Sequence, residues 1–266
     1  MGKDKHIFIN NSNTIINKCK IIVNDIFTIF LLIFTLPLPK LFSMDFQITF
    51  KVNENIYLRN PESSELGKQI VRKAIDLMHD LGFEQFTFKK LAIEIKTTEA
   101  TIYRYFENKH RLLLYILNWY WSYLEFLVMF QLKNIKVNKA KLKTIIHLLT
   151  HELPESSGSH NFNKKLLNQI VIAESSKVYL VKDVAAINKN EVFKPYKDLC
   201  ATIADIISSY NPKYKYPRSL SSTLVEISHD QQFFVDNLPK LTDIGSKNRE
   251  EFTASYLEDL LFRVLG

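Results

Sequence analysis

The sequence predicts an all-α protein, and three observations support that fold class. Apolar residues after residue 63 recur mostly at spacings of three and four, which places them on one face of a helix. Serine, threonine or asparagine stands before most of these segments, where such residues cap helices. A hydrophobic content of 46% over 266 residues is ample for a core, and strands are hard to place after residue 60.

The first helix is predicted to begin at Ser64, because the segment Ile70–Leu81 carries apolar residues on one face. Gly82 then stands where a left-handed cap would end this helix. Thr87 is the predicted cap of a short second helix, in which apolar residues follow at i, i+3, i+4 and i+7 from Phe88. Only a few residues are therefore expected to separate the two helices.

A turn at residue 96 leads to a third helix, with Thr97 or Thr98 as its cap, and Asn108 caps a long fourth helix. The fourth helix is apolar nearly all round over Leu112–Leu132, which predicts burial on most of its sides. Three polar residues make it a poor membrane span: Asn118, Ser122 and Glu125.

Five further helices are predicted in the second half of the chain. They begin after Asn138, after Asn163 (one helix through residue 187), near Pro195, at Ser219 and near Ser246. The domain organisation expected from these elements has four parts: residues 1–43, a lead at 44–63, a first domain at 64–123 and a second, helical domain at 124–266.

Residues 1–43 contain an apolar stretch, Ile26–Leu38, that is too short for a membrane span and is closed by Pro37 and Pro39. The preferred interpretation is that Met44 starts the native protein and that residues 1–43 are upstream sequence. A signal or anchor segment and a genuine N-terminal extension are the alternatives.

Composition narrows the function. The six glycines form neither of the two glycine-rich phosphate-binding patterns, so no nucleotide cofactor is expected. Cys19 and Cys200 are too few and too far apart for a disulfide framework or a C-x-x-C site, which suits a reducing cytoplasm. The net charge of +7 allows an acidic partner such as DNA, although residues 1–43 carry +3 of it.

Two short helices joined by a tight turn, with a long helix on either side, form the helix-turn-helix arrangement, which places its second helix in the major groove of DNA. The segment from Leu81 to Leu113 resembles the DNA-binding domain of TetR-type transcriptional regulators. The matching positions are Gly82, Thr87, Leu91, Ala92, Thr101, Ile102, Tyr103, Tyr105, Phe106, Lys109 and Leu112. The full expectation is a three-helix DNA-binding domain followed by a helical ligand-binding and dimerisation domain.

Small and polar side chains are needed against base edges, and hydrogen-bond donors against phosphates. The residues expected to contact DNA are Thr87, Lys90, Thr97, Thr98, Glu99, Ala100, Thr101, Tyr103, Arg104, Tyr105 and Lys109. The chain departs from the family pattern at the turn, where Lys96 replaces the usual glycine, and at Ala100, which also replaces a glycine. A lysine with positive φ costs about 1 kcal/mol relative to glycine, so the turn either differs or tolerates that cost.

The resemblance also implies an effector pocket in the second domain and a homodimer through the last two helices, around Leu220–Leu238 and Phe252–Leu265. The candidate pocket residues are Trp119, Tyr123, His147 and Glu174. His147 and His151 lie one turn apart but lack an evident third ligand, so no metal is expected, and Ser228, His229 and Asp230 are only sequence neighbours rather than a hydrolytic triad.

The expected function is therefore that of a cytoplasmic, non-enzymatic regulator, most simply a repressor. It would bind a double-stranded, pseudo-palindromic operator through the helix Thr98–Phe106, respond to a small-molecule effector and have no membrane partner. The alternative is a helical ligand-binding or protein-interaction protein whose helix-turn-helix no longer reads a specific operator. Two departures from the family pattern favour that alternative. Lys96 replaces the glycine of the turn, and Glu99 is an acid, which weakens attraction to phosphates.

Overall fold

The computed structural model describes residues 52–153, 162–182, 184–245 and 247–266, and all regular structure within these ranges is helical. The predictions for residues 1–43 lie outside the described residues. The all-α prediction is confirmed. The α-helices are α1 (Glu65–Gln85), α2 (Phe88–Glu94), α3 (Glu99–Tyr103), α4 (Lys109–Leu132), α5 (Asn138–Thr150), α6 (Lys164–Glu174), α7 (Ser176–Tyr179), α8 (Val184–Asn188), α9 (Lys194–Tyr210), α10 (Pro217–Asn237) and α11 (Arg249–Leu265).

The first four helices begin at the predicted caps. The Ser64 hydroxyl accepts from the Gly67 amide, and the Thr87, Thr98 and Asn108 side chains accept from amides three residues further on. Each such cap satisfies one of the amides that the first turn of a helix leaves without an intrahelical partner. The lead before Ser64 forms two short 3-10 helices, Glu54–Ile56 and Pro61–Ser63.

The end of α1 differs from the prediction. Gly82 has a φ of 74° and a ψ of 156°, so it kinks the helix rather than capping it, and one further turn follows to Gln85. Only glycine adopts this backbone region without strain. After the kink, the last turn of α1 contacts both α6, through Glu174, and α4, through Lys109.

The predicted single helix over residues 164–187 is interrupted. The structure has three shorter helices here, α6, α7 and α8, and Glu191 adopts a left-handed φ of 54° before α9. Apolar periodicity alone did not reveal the breaks, because each short piece keeps part of the apolar stripe. Asn138, predicted to be a cap, is the first residue inside α5, and the cap position belongs to Val137.

The core is built around α4, which packs against α5, α6 and α9, while α10 packs on α9 and α11. Among the described residues, α4 is the one helix long and apolar enough to cross a membrane, and 78% of its apolar window is buried inside the protein. The core helix of a soluble protein has this placement. The helix continues to Leu132 across the predicted domain boundary at residue 123, so that boundary stays a prediction.

Candidate DNA-binding surface and adjoining sites

The turn between α2 and α3 keeps a tight geometry in spite of Lys96. The Lys96 amide donates to Ile93 O at 3.2 Å, and the Thr97 amide donates to Ala92 O at 2.9 Å. This pair of bonds is a Schellman motif, in which the residue at Lys96 must be left-handed, and its φ is 54°. The lysine therefore occupies the glycine position of the turn at a cost of about 1 kcal/mol.

α3 buries one side and exposes the other. Ile102 is fully buried, whereas Ala100 and Arg104 are exposed. Tyr103 is 48% exposed, and its ring meets the edge of Phe88 with 5.0 Å between the ring centroids. Its hydroxyl has no hydrogen-bond partner among the described residues, so it is available to a phosphate oxygen.

The hydroxyl of Thr98 is committed to the helix start. Its Oγ1 accepts from the Thr101 amide at 3.3 Å and lies 3.0 Å from Thr101 Oγ1. Glu99 has no ion-pair partner within the described part of the chain, and Thr97 is half-buried beside it. The polar end of α3 thus presents two hydroxyls and one carboxylate on the surface.

A second set of groups lies on α2. Thr87 is exposed, with its hydroxyl accepting from the Lys90 amide at 3.2 Å, and Lys90 Nζ donates to Gln85 O at 2.9 Å. Lys89 is also exposed and forms no ion pair in the described structure. The sequence prediction omitted Lys89. Its position on the outer face of the helix-turn-helix was the signal that could have identified it as a DNA contact.

Tyr105 does not lie on this surface. Its side chain is 2% exposed, and its hydroxyl is 2.8 Å from Ser64 Oγ, the cap of α1. The predicted phosphate contact for Tyr105 is corrected, because burial and the bond to Ser64 leave it no accessible donor. A tyrosine in a helix-turn-helix can serve either face, and only packing decides which.

Lys109 is likewise engaged inside the protein. Its ammonium donates to Phe83 O at 2.9 Å, Glu84 O at 3.0 Å and Phe86 O at 3.3 Å, and it lies 4.6 Å from the centre of the Phe83 ring. An ammonium has three donors, and all three are used. In this structure the lysine satisfies the carbonyls at the end of α1, and its direct contact with a phosphate stays a prediction.

Arg59 was missed by the sequence analysis and lies beside α3. The Leu58 amide donates to Tyr105 O at 2.8 Å, which fixes the lead against the end of the recognition helix. The Arg59 guanidinium carbon lies 5.2 Å from the centre of the Tyr105 ring. Nothing in the local spacing identifies Arg59, because its placement depends on this contact between distant residues.

The structure places the four candidate pocket residues in different surroundings. Trp119 and Tyr123 stack on each other in the core, with 5.3 Å between their ring centroids. His147 lies near the end of α5, with its ring 3.7 Å from that of His151. Glu174 lines a cavity of about 370 Å³ between α1, α6, α10 and α11. An effector pocket that includes all four residues stays a prediction.

Glu174 joins α6 to the kink in α1. Its Oε1 accepts from the Phe83 amide at 3.0 Å, and its Oε2 lies 2.7 Å from Lys177 Nζ. Lys177 also reaches Glu84 at 3.2 Å, and this hydrogen bond lowers the pKa of the Glu84 carboxyl. The junction links the last turn of α1, which precedes the helix-turn-helix, to α6.

No group of three or more His, Cys, Asp or Glu side chains able to hold a metal comes together within the described residues. Burial lowers the pKa of His147, and the neighbouring His151 lowers it further. His151 Nε2 lies 3.3 Å from Glu251 Oε1. Ser228 donates to Val225 O rather than to His229, so these neighbours form no triad.

The surface and its support define the class of protein: a helix-turn-helix domain of the DNA-binding type, continued by a helical second part. Residues 70–116 match the sequence model of the family described as bacterial regulatory proteins, tetR family. The chain carries a TetR-family helix-turn-helix domain, and the predicted resemblance is confirmed.

Solved structures share the fold. AibR in complex with isovaleryl coenzyme A and operator DNA is 16% identical with a TM-score of 0.51, over 73% of this chain and 98% of AibR. A protein from Saccharomonospora viridis in complex with choline is 16% identical with a TM-score of 0.53, over 75% and 97% of the two chains. A tetR-family regulatory protein from Rhodococcus RHA1 is 13% identical with a TM-score of 0.52, over 76% and 98%. At these identities the likeness shows the fold alone, and comparison with curated protein sequences finds no significant match.

Proposed function

We propose that this protein is a homodimeric, ligand-responsive transcriptional regulator, acting as a repressor, that reads a pseudo-palindromic operator through the segment Thr98–Phe106. The observation that carries the proposal is the exposed face of α3, where Ala100, Tyr103 and Arg104 project from a helix whose other side is anchored by buried Ile102. A short side chain lets the helix approach the base edges closely, and a long cationic one can donate to a guanine. The structure of AibR with operator DNA supports the same use of this fold.

The proposed contacts fall into two groups. Glu99, Ala100 and Thr101 meet base edges, since the N-terminal residues of a recognition helix lie deepest in the groove. Arg104, at the C-terminal end of α3, reaches a base through its long side chain. The phosphate contacts come from the exposed donors around this helix, which are Thr87, Lys89, Lys90, Tyr103 and Arg59. Lys109 supports the surface from behind by fixing the end of α1.

DNA fragments selected from the source genome by the full chain provide the operator, and fluorescence anisotropy over a salt series measures the affinity. Each lost phosphate contact should reduce the slope of log K against log salt by about 0.9. Lys89→Ala is expected to show that reduction without a change in sequence preference, whereas Arg104→Ala should weaken binding and relax preference at one base pair. Lys213→Ala, in the loop before α10, removes the same charge and should leave both quantities unchanged.

Selective binding that survives Arg104→Ala and Lys89→Ala without any change would contradict the proposed surface. Absence of binding to any selected fragment would contradict the function itself. Tyr103→Phe adds a finer test, because it removes one hydroxyl donor while keeping the ring against Phe88.

The dimer is proposed from the outer faces of α10 and α11. Large apolar side chains are exposed along α11 and the segment that joins it to α10: Leu238, Leu241, Phe252, Tyr256 and Val264. Three of them, Leu241, Phe252 and Tyr256, line one surface cavity. Exposed apolar side chains that cluster in this way mark an interface, and a two-fold pairing of two helices per subunit gives a four-helix arrangement. Two recognition helices then face two half-sites of DNA.

Analytical ultracentrifugation tests the dimer. Phe252 is 55% exposed, and Phe252→Asp should shift the full chain toward the monomer, because it would place a charge in an apolar interface. Ile93→Asp is the matched control, since Ile93 is 70% exposed but lies on α2, in the helix-turn-helix. A sedimenting species that is the same for both variants would refute the proposed interface.

The second candidate function is a helical binding protein with a degenerate helix-turn-helix. It is favoured by Glu99, a half-buried acid that has no ion-pair partner among the described residues. Glu99→Gln separates the two. If Glu99 accepts from a cytosine amino group, the substitution weakens operator binding while strengthening binding to random DNA. If both affinities rise together from a common low value, the second candidate is favoured.

A further inference from the structure

A largely apolar cavity of about 240 Å³ lies between α4 and the start of α9. Leu114, Leu117 and Trp121 from α4 face Phe193 and Tyr196 across it. An apolar cavity of about 150 Å³ is enough to admit benzene in another protein. The space here therefore suits a somewhat larger molecule of one or two fused rings.

One polar group in the wall has an unused bonding position. Asn118 is 3% exposed, and its Nδ2 donates to Val192 O at 2.7 Å and approaches Leu114 O at 3.4 Å. Since a carbonyl can only accept, these contacts fix the orientation of the amide. Its Oδ1 is buried and has no hydrogen-bond partner among the described residues. Buried acceptors are nearly always paired, and Asn118 belongs to the cavity wall. A molecule that enters the cavity can therefore supply the missing donor after a small movement of the amide.

The two tyrosine hydroxyls of the cavity do not offer a competing donor. The hydroxyls of Tyr179 and Tyr196 both donate to Glu226, at 2.9 Å and 2.5 Å. The two tyrosine rings are stacked, and the Trp121 ring lies 4.8 Å from that of Tyr196. The tyrosines consequently contribute ring surface rather than hydroxyl groups, which suits a planar, apolar molecule.

The charge at the cavity also limits what can bind. Lys197 is the charged residue among those that line it, and this residue is exposed, with Nζ donating to Asn188 Oδ1 at 3.0 Å. No ionised group therefore faces the interior from the described wall. Transfer of an unpaired charge into such a space is strongly unfavourable, so the ligand must be uncharged.

We propose that this cavity binds an uncharged, planar, mainly apolar molecule of one or two fused rings whose single N–H or O–H group donates to Asn118 Oδ1. The assignment of this molecule as the effector rests on the function proposed above, whereas the binding itself does not. Asn118 lies nine residues along α4 from Lys109, about 14 Å at the rise of an α-helix. Both groups are therefore on one rigid element that reaches the DNA-binding domain.

Isothermal titration of the full chain with indole, without DNA, tests the binding. Indene has the same two-ring shape but no N–H donor, so it should bind at least tenfold more weakly. This comparison uses the unmodified protein and does not depend on the folding of any variant. Absence of indole binding up to millimolar concentration, or equal affinity for indole and indene, would overturn the proposal.

A pair of variants locates the site. Leu117→Trp fills the cavity and should reduce indole affinity more than tenfold, with the melting temperature measured to confirm folding. Leu132→Trp makes the same change on the same helix outside the cavity and should leave the affinity unchanged. Indole binding that persists in Leu117→Trp places the ligand elsewhere and refutes the assignment. If the protein binds indole but no DNA, the cavity site stands and the proposed regulatory function fails. If it binds an operator but not indole, the regulatory function stands and the cavity site fails.

Discussion

Acidification is predicted to destabilise this protein through one buried histidine. His229 on α10 is 3% exposed, and neither ring nitrogen has a hydrogen-bond partner among the described residues. Its neighbours include the rings of Tyr120 and Trp121. Burial lowers the pKa of His229 from 6.5 to about 4, so the ring is neutral in the folded protein over the whole physiological range.

The sign follows from proton uptake. Between pH 6.5 and about 4 the unfolded chain binds a proton at this position and the folded chain does not, so the free energy of unfolding falls as the pH falls. The full shift of the pKa corresponds to about 3 kcal/mol of unfolding free energy, of which about 2 kcal/mol is lost between pH 7 and pH 5. For a domain whose total stability is about 5–15 kcal/mol, that loss is large.

Urea unfolding at pH 7 and pH 5, followed by circular dichroism, measures the effect. His229→Leu removes the titrating group while keeping a side chain of similar bulk, so its stability should fall by about 2 kcal/mol less than that of the unmodified chain over this interval. Any constant gain or loss from repacking cancels in the comparison. The same fall in stability in both proteins would refute the reasoning, because it would assign the pH dependence to other groups.

Three further predictions concern the backbone and the junction. Lys96→Gly should raise the free energy of unfolding by about 1 kcal/mol, since glycine accepts the left-handed turn, and a lower melting temperature would contradict this. Gly67→Ala should lower the free energy of unfolding by about 1–3 kcal/mol, because the added Cβ would lie 2.2 Å from Pro61 O. A higher free energy of unfolding, as expected at an open helical site, would show that the lead can move away from α1. Glu174→Ala should lower the free energy of unfolding by about 1–3 kcal/mol and speed hydrogen exchange at the Phe83 amide, because that amide loses its acceptor. Glu174→Gln keeps an acceptor oxygen and should lower it less. Equal losses of stability in the two variants would argue against the bond.

The helix starts of the first half could be predicted from sequence because they depend on neighbours. Ser64, Thr87, Thr98 and Asn108 each cap a helix through an amide a few residues away, and such bonds need no distant partner. The same locality explains the left-handed turn at Lys96, which its position after α2 demands. Apolar periodicity then gave the buried faces and hence the all-α class.

The side-chain roles were less predictable where long-range contacts decide them. Tyr105 and Lys109 belong to the family pattern, yet one bonds Ser64 and the other bonds the carbonyls at the end of α1. The Gly82 kink brings those carbonyls to Lys109. Sequence spacing contains no information about such a meeting of distant segments.

The sequence by itself determined the first four helices, their caps, the helix-turn-helix and the family model that residues 70–116 match, because these properties depend on residues a few positions apart. Only the tertiary structure decided which side chains remain accessible. In the folded chain Lys109 points inward, Arg59 lies beside α3, Trp119 and Glu174 have different surroundings, and the Asn118 oxygen has no partner among the described residues. The physical reason is that burial and hydrogen-bond satisfaction depend on the whole packing of the chain.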